Sequence, residues 1–153
     1  MTSLRAFVRT LVLESLETDS ALKALAALPE MANDEYVFAA SVFDAMIPHA
    51  VDHFGEATLK RWSDAARALP LVTTSLRGLT ACQRSLSKEL VARYIMLPSS
   101  TQPVGRSSPG AMPFIVELQG GRYVLDGHNR LAAAILRGDT TAQAKVLVIE
   151  GDV

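Results

Sequence analysis

In the segment 123–138, "YVLDGHNRLAAAILRG", a strand-like run meets an alanine-rich stretch. Four polar side chains of different chemistry lie at this junction: Asp126, His128, Asn129 and Arg130. Asp126 can orient an imidazole, hold a divalent cation or act as a base. His128 can donate a hydrogen bond or move a proton near neutral pH. Arg130 can clamp a phosphate through two parallel hydrogen bonds. These residue types indicate anion binding with an acid–base option.

The strand-to-helix junction favours the same chemistry. The first backbone N–H groups of a helix lack intrahelical partners and carry the positive end of the helix dipole, so they suit a phosphate. Gly127 permits a positive φ and a close approach of the backbone to a ligand. A structural alternative stays open, with Asp126 as a turn residue, Asn129 as a helix cap and Arg130 as a surface charge.

The composition of the 153 residues predicts a folded, soluble chain, because 49% are hydrophobic and 20% are charged. Cys82 is the single cysteine, so an intramolecular disulfide is excluded, and no Cys/His cluster has zinc spacing. No apolar run approaches the roughly 20 residues of a membrane span. The first residues do not form a signal peptide pattern. We therefore expect a cytoplasmic protein that does not enter a membrane.

The charge is unevenly distributed, although the net charge is only −1. Residues 1–68 hold 6 basic and 10 acidic residues, whereas residues 69–153 hold 9 basic and 6 acidic residues. An anionic ligand is therefore expected in the second half. DNA as a partner is not favoured, because the sequence has no basic stripe.

Residues 1–69 are predicted to form a helical segment that ends before Pro70. Apolar residues recur there at helical spacing, and Asp19 or Ser20 is the expected cap of the second helix. The apolar stripes are expected to be buried on the rest of the chain or in a homo-oligomer, and the segment could dock on a protein partner. The four predicted helices cover residues 4–12, 21–28, 34–47 and 56–69.

Residues 70–153 are predicted to form a small domain of strands and helices. Its expected features are two strands around a turn at Gly78, a helix capped by Ser87, a loop over 98–110, a hairpin with Gly120 and Gly121 at its tip, the helix from Asn129 and a last strand over 142–150. Trp62, before the boundary, is expected to be a core or interface anchor.

The segment "RYVLDGHNRLAAAILRGDTTAQAKVLVI" resembles the central motif of the ParB/sulfiredoxin-like fold. Members show a hairpin, then Asp-Gly-His-His-Arg or a variant, an alanine-rich helix, a glycine and a closing strand of valines. The upstream "SLRGLTACQRSLSKELVARYI" resembles the opening strand, the turn with a glutamine (here Gln83) and the following helix. The resemblance covers about residues 70–150. It implies an α+β fold, with the helical segment followed by a small mixed-sheet domain.

The resemblance also implies a nucleoside triphosphate ligand, ATP or CTP, with Mg²⁺. In that interpretation His128 and Asp126 are catalytic in NTP hydrolysis or DNA cleavage, and Asp126 recruits the metal. His128 stands where sulfiredoxins have a cysteine, so reduction of sulfinic acids is not expected. The implied nucleotide-binding residues are Gly127, His128, Asn129, Arg130, Gln83 and Arg84.

No helix-turn-helix follows the last strand, so DNA partition is not expected. A short chain with this helical leader is more typical of an accessory protein of a phage, a plasmid or another mobile element. The alternative is a non-catalytic protein-interaction module, an inhibitor or a structural component, that reuses the scaffold. For the nucleotide site we expect that the amides of the turn share one pocket with Arg130, and that neither His128 nor Arg130 lies in the core.

Overall fold

The computed structural model describes residues 18–97 and 112–150. The helix predicted over 4–12 and the loop predicted over 98–110 lie outside these residues. The α+β class is confirmed, because an N-terminal helix precedes strands that form a mixed sheet. Within the described residues, no helix is both long enough and apolar enough to cross a membrane.

The described chain contains both helices and strands. In order they are α1 (residues 18–27), β1 (Tyr36–Phe38), a 3₁₀ turn (Ala39–Ser41), β2 (Ala45–Met46), α2 (Ala50–Phe54), α3 (Glu56–Ala66), β3 (Val72–Ser75), β4 (Leu79–Ala81), β5 (Ser85–Ser87), α4 (Lys88–Met96), β6 (Phe114–Leu118), β7 (Gly121–Asp126), α5 (His128–Leu136) and β8 (Thr141–Ile149).

Six of the strands form one mixed sheet in the order β2-β4-β7-β6-β8-β3. The pairs β2–β4, β4–β7 and β6–β8 are parallel, whereas β6–β7 and β3–β8 are antiparallel. Strands β1 and β5 form a separate antiparallel pair. Strand β7 lies inside the sheet and leads directly into α5, so the Asp126–Arg130 turn begins at the middle of the fold.

The prediction of a third helix over residues 34–47 is wrong. Residues 36–46 form β1, the 3₁₀ turn and β2 instead, and the alternation of exposed Tyr36, buried Val37 and exposed Phe38 follows the period of a strand. Pairing with β5, which places Val37 opposite Leu86, overrides the helical spacing of the apolar residues. Because β1 and β2 pair with strands that follow Pro70, the chain on both sides of that residue shares one core.

The other predicted elements that lie in the described residues agree with the structure, with small shifts at the ends. The turn at Gly78 separates β3 from β4. Ser87 caps α4, since its Oγ accepts a hydrogen bond from the Leu90 N–H. The β6–β7 hairpin turns on Gln119 and Gly120, both at positive φ, one residue earlier than predicted. Asp19 and Ser20 lie inside α1 rather than at its cap.

Two apolar clusters pack against the sheet, one on each face. On β6, Phe114 and Val116 pack with Trp62 of α3, which is the core anchor that was expected. Ile115, between them, belongs to the larger cluster on the other face, under α1, α4 and α5. Leu131, Ala132 and Ala133 bury the inner side of α5 in that cluster. The helix that carries the candidate site is thus fixed on the sheet.

Candidate functional site

The turn between β7 and α5 depends on Gly127. Its backbone is left-handed, with φ 77° and ψ 26°, a conformation that favours glycine. A Cβ at this position would lie 2.5 Å from the Cα of Pro113. The glycine therefore allows the turn to pack against the backbone of Pro113. Asp126 Oδ1 accepts a hydrogen bond from the Gly127 N–H at 2.9 Å, which is the role of a turn residue.

His128 is built into the core. Its Nε2 accepts a hydrogen bond from the Cys82 N–H at 2.9 Å, and the ring also bonds to the Val124 carbonyl, which leaves Nδ1 as the donor. The residue is only 4% exposed, and burial lowers the pKa of the imidazole from 6.5 to about 4, against the opposing effect of the Val124 bond. The ring is neutral at pH 7 and joins β7 and the residue that follows β4 to α5. The expectation that His128 lies outside the core is wrong.

Asn129 connects two helices. Its Oδ1 accepts a hydrogen bond from the N–H of Ser87 at 2.9 Å, and Ser87 is the cap of α4. The N-cap of α5 itself is Gly127, so Asn129 is not the cap of its own helix. The amide fixes the start of α5 against the start of α4.

Arg130 is a buried cation that lines a cavity. The guanidinium lies 5.6 Å from the centre of the Tyr94 ring, and Nη1 contacts Met112 Sδ at 3.7 Å. Arg130 is 9% exposed, which contradicts the expectation that it lies outside the core. Burial lowers the pKa of the guanidinium, with Tyr94 opposing the shift, but an arginine stays charged at neutral pH.

The cavity beside Arg130 has a volume of about 580 Å³. One wall is a face of α5, and the other is formed by residues of β3 and β8 and the segments next to them. We call it the α5 cavity. Its size is within the range of small-molecule sites, and it combines apolar walls with a few polar groups. The polar groups include Arg130, Arg137, Asp139, Thr73, Thr140 and Gln143.

A second cavity, of about 570 Å³, lies between α2 and the turn before β5. We call it the Gln83 cavity, and it contains Gln83 and Arg84 together with His49 and Asp52. Gln83 Nε2 donates to the Ser85 carbonyl at 2.7 Å, which fixes the glutamine side chain within its own turn. The predicted nucleotide-binding residues are therefore divided between two places.

The structure does not bring the predicted set to one pocket. Arg130 lines the α5 cavity, whereas Gln83 and Arg84 line the other. The residues from Asp126 to Asn129 line neither cavity. The expectation that the amides of the turn share a pocket with Arg130 is not met. His128 is also not placed where its nitrogens could exchange a proton with a ligand in either cavity.

Sequence reasoning missed Arg137, the second cation of the α5 cavity. Its Nη1 donates to the Leu97 carbonyl at 3.0 Å, and its Nε is buried with no hydrogen-bond partner in the described part of the chain. The signal was present in the sequence, because Arg137 follows Arg130 by seven residues, or two turns, and so shares its helix face.

The geometry supports neither a structural metal site nor Asp126 as a metal ligand. Among residues 18–97 and 112–150, no group of three or more His, Cys, Asp and Glu side chains could hold a metal ion. Mg²⁺ commonly binds one or two carboxylates together with phosphate oxygens. Asp126 as a Mg²⁺ ligand therefore stays a prediction that depends on a bound nucleotide.

Comparisons with known proteins give no family for this chain. No family model matches it, and no match is found among curated proteins or solved structures. The likeness of residues 70–150 to the ParB/sulfiredoxin-like fold stays a prediction. The function is therefore inferred from the geometry of the two cavities and from the chemistry of the residues that line them.

Proposed function

We propose that the protein binds a phosphate-bearing small molecule, a nucleotide, in the α5 cavity, with Arg130 as the main contact of the phosphate. The observation that carries the proposal is the position of Arg130 in the wall of a ligand-sized cavity. The proposal retains the nucleotide expected from the resemblance. It moves the phosphate from the first turn of α5 to the cavity beside that helix.

The charge and burial of Arg130 support this site. A guanidinium that is mostly removed from water binds phosphate strongly, because its planar fork of donors matches two phosphate oxygens. The ring of Tyr94 and the sulfur of Met112 both contact the side chain and help to fix its position in the cavity wall. Hydroxyl groups of Thr73 and Thr140 in the same cavity add neutral donors.

We propose binding without proton transfer by His128. Both nitrogens of the imidazole are engaged inside the fold, and its side chain reaches neither cavity. NTP hydrolysis or DNA cleavage would therefore need another general base. A binding protein whose ligand is a nucleotide needs only the cavity and its cations.

Titration calorimetry with ATP, CTP and inorganic phosphate tests the proposal. The parent protein is expected to bind a nucleotide, and Arg130→Gln is expected to weaken the affinity by roughly tenfold or more, since a charge-assisted hydrogen bond contributes about 1.5–3 kcal/mol. Because Arg130 is buried, a thermal melt must first show that the variant is folded.

The matched control is Arg67→Gln. Arg67 is an arginine of the helical region with a side chain 84% exposed, and it lies outside the lining of the α5 cavity. This variant is expected to bind as the parent does. Nucleotide binding that is unchanged in folded Arg130→Gln, or a parent that binds no nucleotide, would overturn the proposed function.

The second candidate is the protein-interaction module, and one observation favours it. Tyr36 and Phe38 occupy alternate positions of β1, on one side of the β1–β5 pair, and are 38% and 36% exposed. Two neighbouring aromatic rings on a strand are typical of protein contact surfaces. If no nucleotide binds and Tyr36→Ser with Phe38→Ser abolishes binding to a captured protein, this candidate replaces the first.

A further inference from the structure

Two polar side chains form a pair in the strand wall of the α5 cavity. Thr73 of β3 and Gln143 of β8 lie directly opposite each other in the antiparallel pairing, so their side chains are on the same side of the two strands. Gln143 Nε2 donates a hydrogen bond to Thr73 Oγ1, and both residues line the cavity. This contact fixes the two side chains relative to each other.

The pair retains one donor and one acceptor for a ligand. Thr73 Oγ1 accepts from the amide, so its own O–H is available to donate, and Gln143 Oε1 is an acceptor. Among residues 18–97 and 112–150, neither of these two groups has a hydrogen-bond partner. Both residues are exposed, so a ligand in the cavity can reach both groups.

The pair lies close to Arg130 along the cavity wall. Arg130 Nη1 contacts Met112 Sδ at 3.7 Å. The next residue, Pro113, accepts a hydrogen bond at its carbonyl from the Lys145 N–H at 2.9 Å. Gln143 precedes Lys145 by two residues on β8, which is a rise of about 6.6 Å. The group that contacts the pair is therefore the part of the ligand next to the phosphate.

In a nucleotide, the part next to the phosphate is the sugar. Ribose carries two neighbouring hydroxyl groups on one face of its ring, and each of them can both donate and accept a hydrogen bond. One hydroxyl can accept from Thr73 while the other donates to Gln143. A 2′-deoxyribose has only one of the two hydroxyl groups and cannot make both contacts.

We infer that the ligand of the α5 cavity is a ribonucleotide, with its phosphate at Arg130 and the two hydroxyl groups of its ribose at Thr73 and Gln143. The inference depends on the proposed function, because the phosphate at Arg130 determines which part of the ligand reaches the pair. It gives Thr73 and Gln143 the role of residues that determine sugar specificity.

The test compares the affinities of ATP, 2′-deoxy-ATP and arabinosyl-ATP for the full chain by titration calorimetry, and of the same three forms of CTP. The ribonucleotide is expected to bind roughly tenfold more tightly than the 2′-deoxy form, because a hydrogen bond to the pair is lost. The arabinosyl form has its 2′ hydroxyl on the opposite face of the ring, so it should bind as weakly as the 2′-deoxy form. This comparison needs no variant.

The matched variant combines Thr73→Val, which keeps the branched shape, with Gln143→Met, which keeps the length of the side chain. It should bind the ribonucleotide and the 2′-deoxy form with similar affinity, while Arg130→Gln should weaken both. Thr58→Val is the control, because the Thr58 hydroxyl also accepts a side-chain hydrogen bond, from Arg61, but lies outside the lining of the cavity. This control should retain the preference for ribose.

Three outcomes would contradict the inference. If the parent binds the ribonucleotide no more tightly than the 2′-deoxy or arabinosyl form, the inference is overturned and the proposed function stands. A preference for ribose that survives in the variant of Thr73 and Gln143 would also overturn it. Failure of every nucleotide to bind would overturn both the inference and the proposed function.

Discussion

The first turn of α5 and the cavity face of the same helix use polar residues in opposite ways. In the first turn, His128 and Asn129 bind backbone groups of Cys82, which follows β4, and of the α4 cap, and Gly127 packs on Pro113. On the cavity face, Arg130 and Arg137 line a space of ligand size. The comparison shows that unusual polar residues can mark the point where a fold is joined as well as the point where a ligand binds.

The positions of the two regions explain the difference. The first turn follows β7, inside the six-stranded sheet, and is packed against Cys82, which follows β4, and Pro113, which precedes β6. Buried polar groups there must find partners within the protein, because water does not reach them. The cavity face of α5 lies opposite β8 and β3, and β3 is an edge strand of the sheet. Space for a ligand is therefore available on this side.

The largest expected effect is the loss of stability on replacing Gly127, at the start of α5, compared with replacing Gly138, after its end. Gly127→Ala would place a Cβ 2.5 Å from the Pro113 Cα, a backbone clash, at a φ of 77°. We expect it to reduce the free energy of unfolding by about 4 kcal/mol or more, or to prevent folding.

Gly138→Ala is the control for that comparison. Gly138 has a similar φ of 83°, but a Cβ there would meet no atom within 4 Å. Only the left-handed backbone is then unfavourable, which costs about 1–2 kcal/mol. Urea unfolding measures both losses. Equal losses would show that the turn at Gly127 is not closely packed and would remove the contrast between the two regions.

The next largest effect is the pH dependence of the free energy of unfolding that comes from the buried imidazole of His128. The unfolded chain takes up a proton at His128 as the pH falls below about 6.5, whereas the folded chain resists it until about pH 4. The contribution of His128 to the free energy of unfolding is thus fully present above pH 6.5 and is lost as the pH falls from 6.5 to 4. A fall of the pKa from 6.5 to about 4 corresponds to about 3 kcal/mol.

His128→Gln removes this titration and isolates its effect. The variant is expected to be less stable than the parent at pH 7.5, because the Cys82 N–H loses a well-placed acceptor. The difference between the two should shrink as the pH is lowered to 4.5. His53→Gln, at an exposed histidine of α2, is the matched control variant. A parent-to-variant difference that is constant between pH 7.5 and 4.5 would place His128 in contact with solvent.

Sequence reasoning predicts those elements whose signals are local. The cap of α4 at Ser87 and the turn of the β6–β7 hairpin at Gly120 depend on residues within a few positions of each other. Strand β1 could not be predicted in this way. Its partner β5 is distant in the sequence, and the helical spacing around Val37 is a weaker constraint than the pairing of Val37 with Leu86.

The same division holds for the candidate site. The residue types from Asp126 to Arg130 identify a special turn, and the turn is special in the structure. The partners that decide its role, Cys82 and Pro113, are remote in the sequence, so hydrogen bonding inside the fold and ligand binding predict the same pattern. Arg137 was within reach, because its spacing from Arg130 places both on one helix face.

The smallest expected effect tests whether an amide of the first turn is structural, and Asn129→Ala provides the test. The Ser87 N–H would lose its acceptor at a partly buried site that joins α5 to α4, so the free energy of unfolding should fall by about 1–2 kcal/mol. Asn33→Ala is the matched control, because Asn33 Oδ1 also accepts a backbone N–H, that of Glu35 at 3.1 Å, but within an exposed turn. Water can replace that bond, so roughly 0.5 kcal/mol or less should be lost. Both variants should bind nucleotide as the parent does. If Asn129→Ala leaves stability unchanged and weakens nucleotide binding instead, the first turn belongs to the ligand site and the contrast between the two regions of α5 fails.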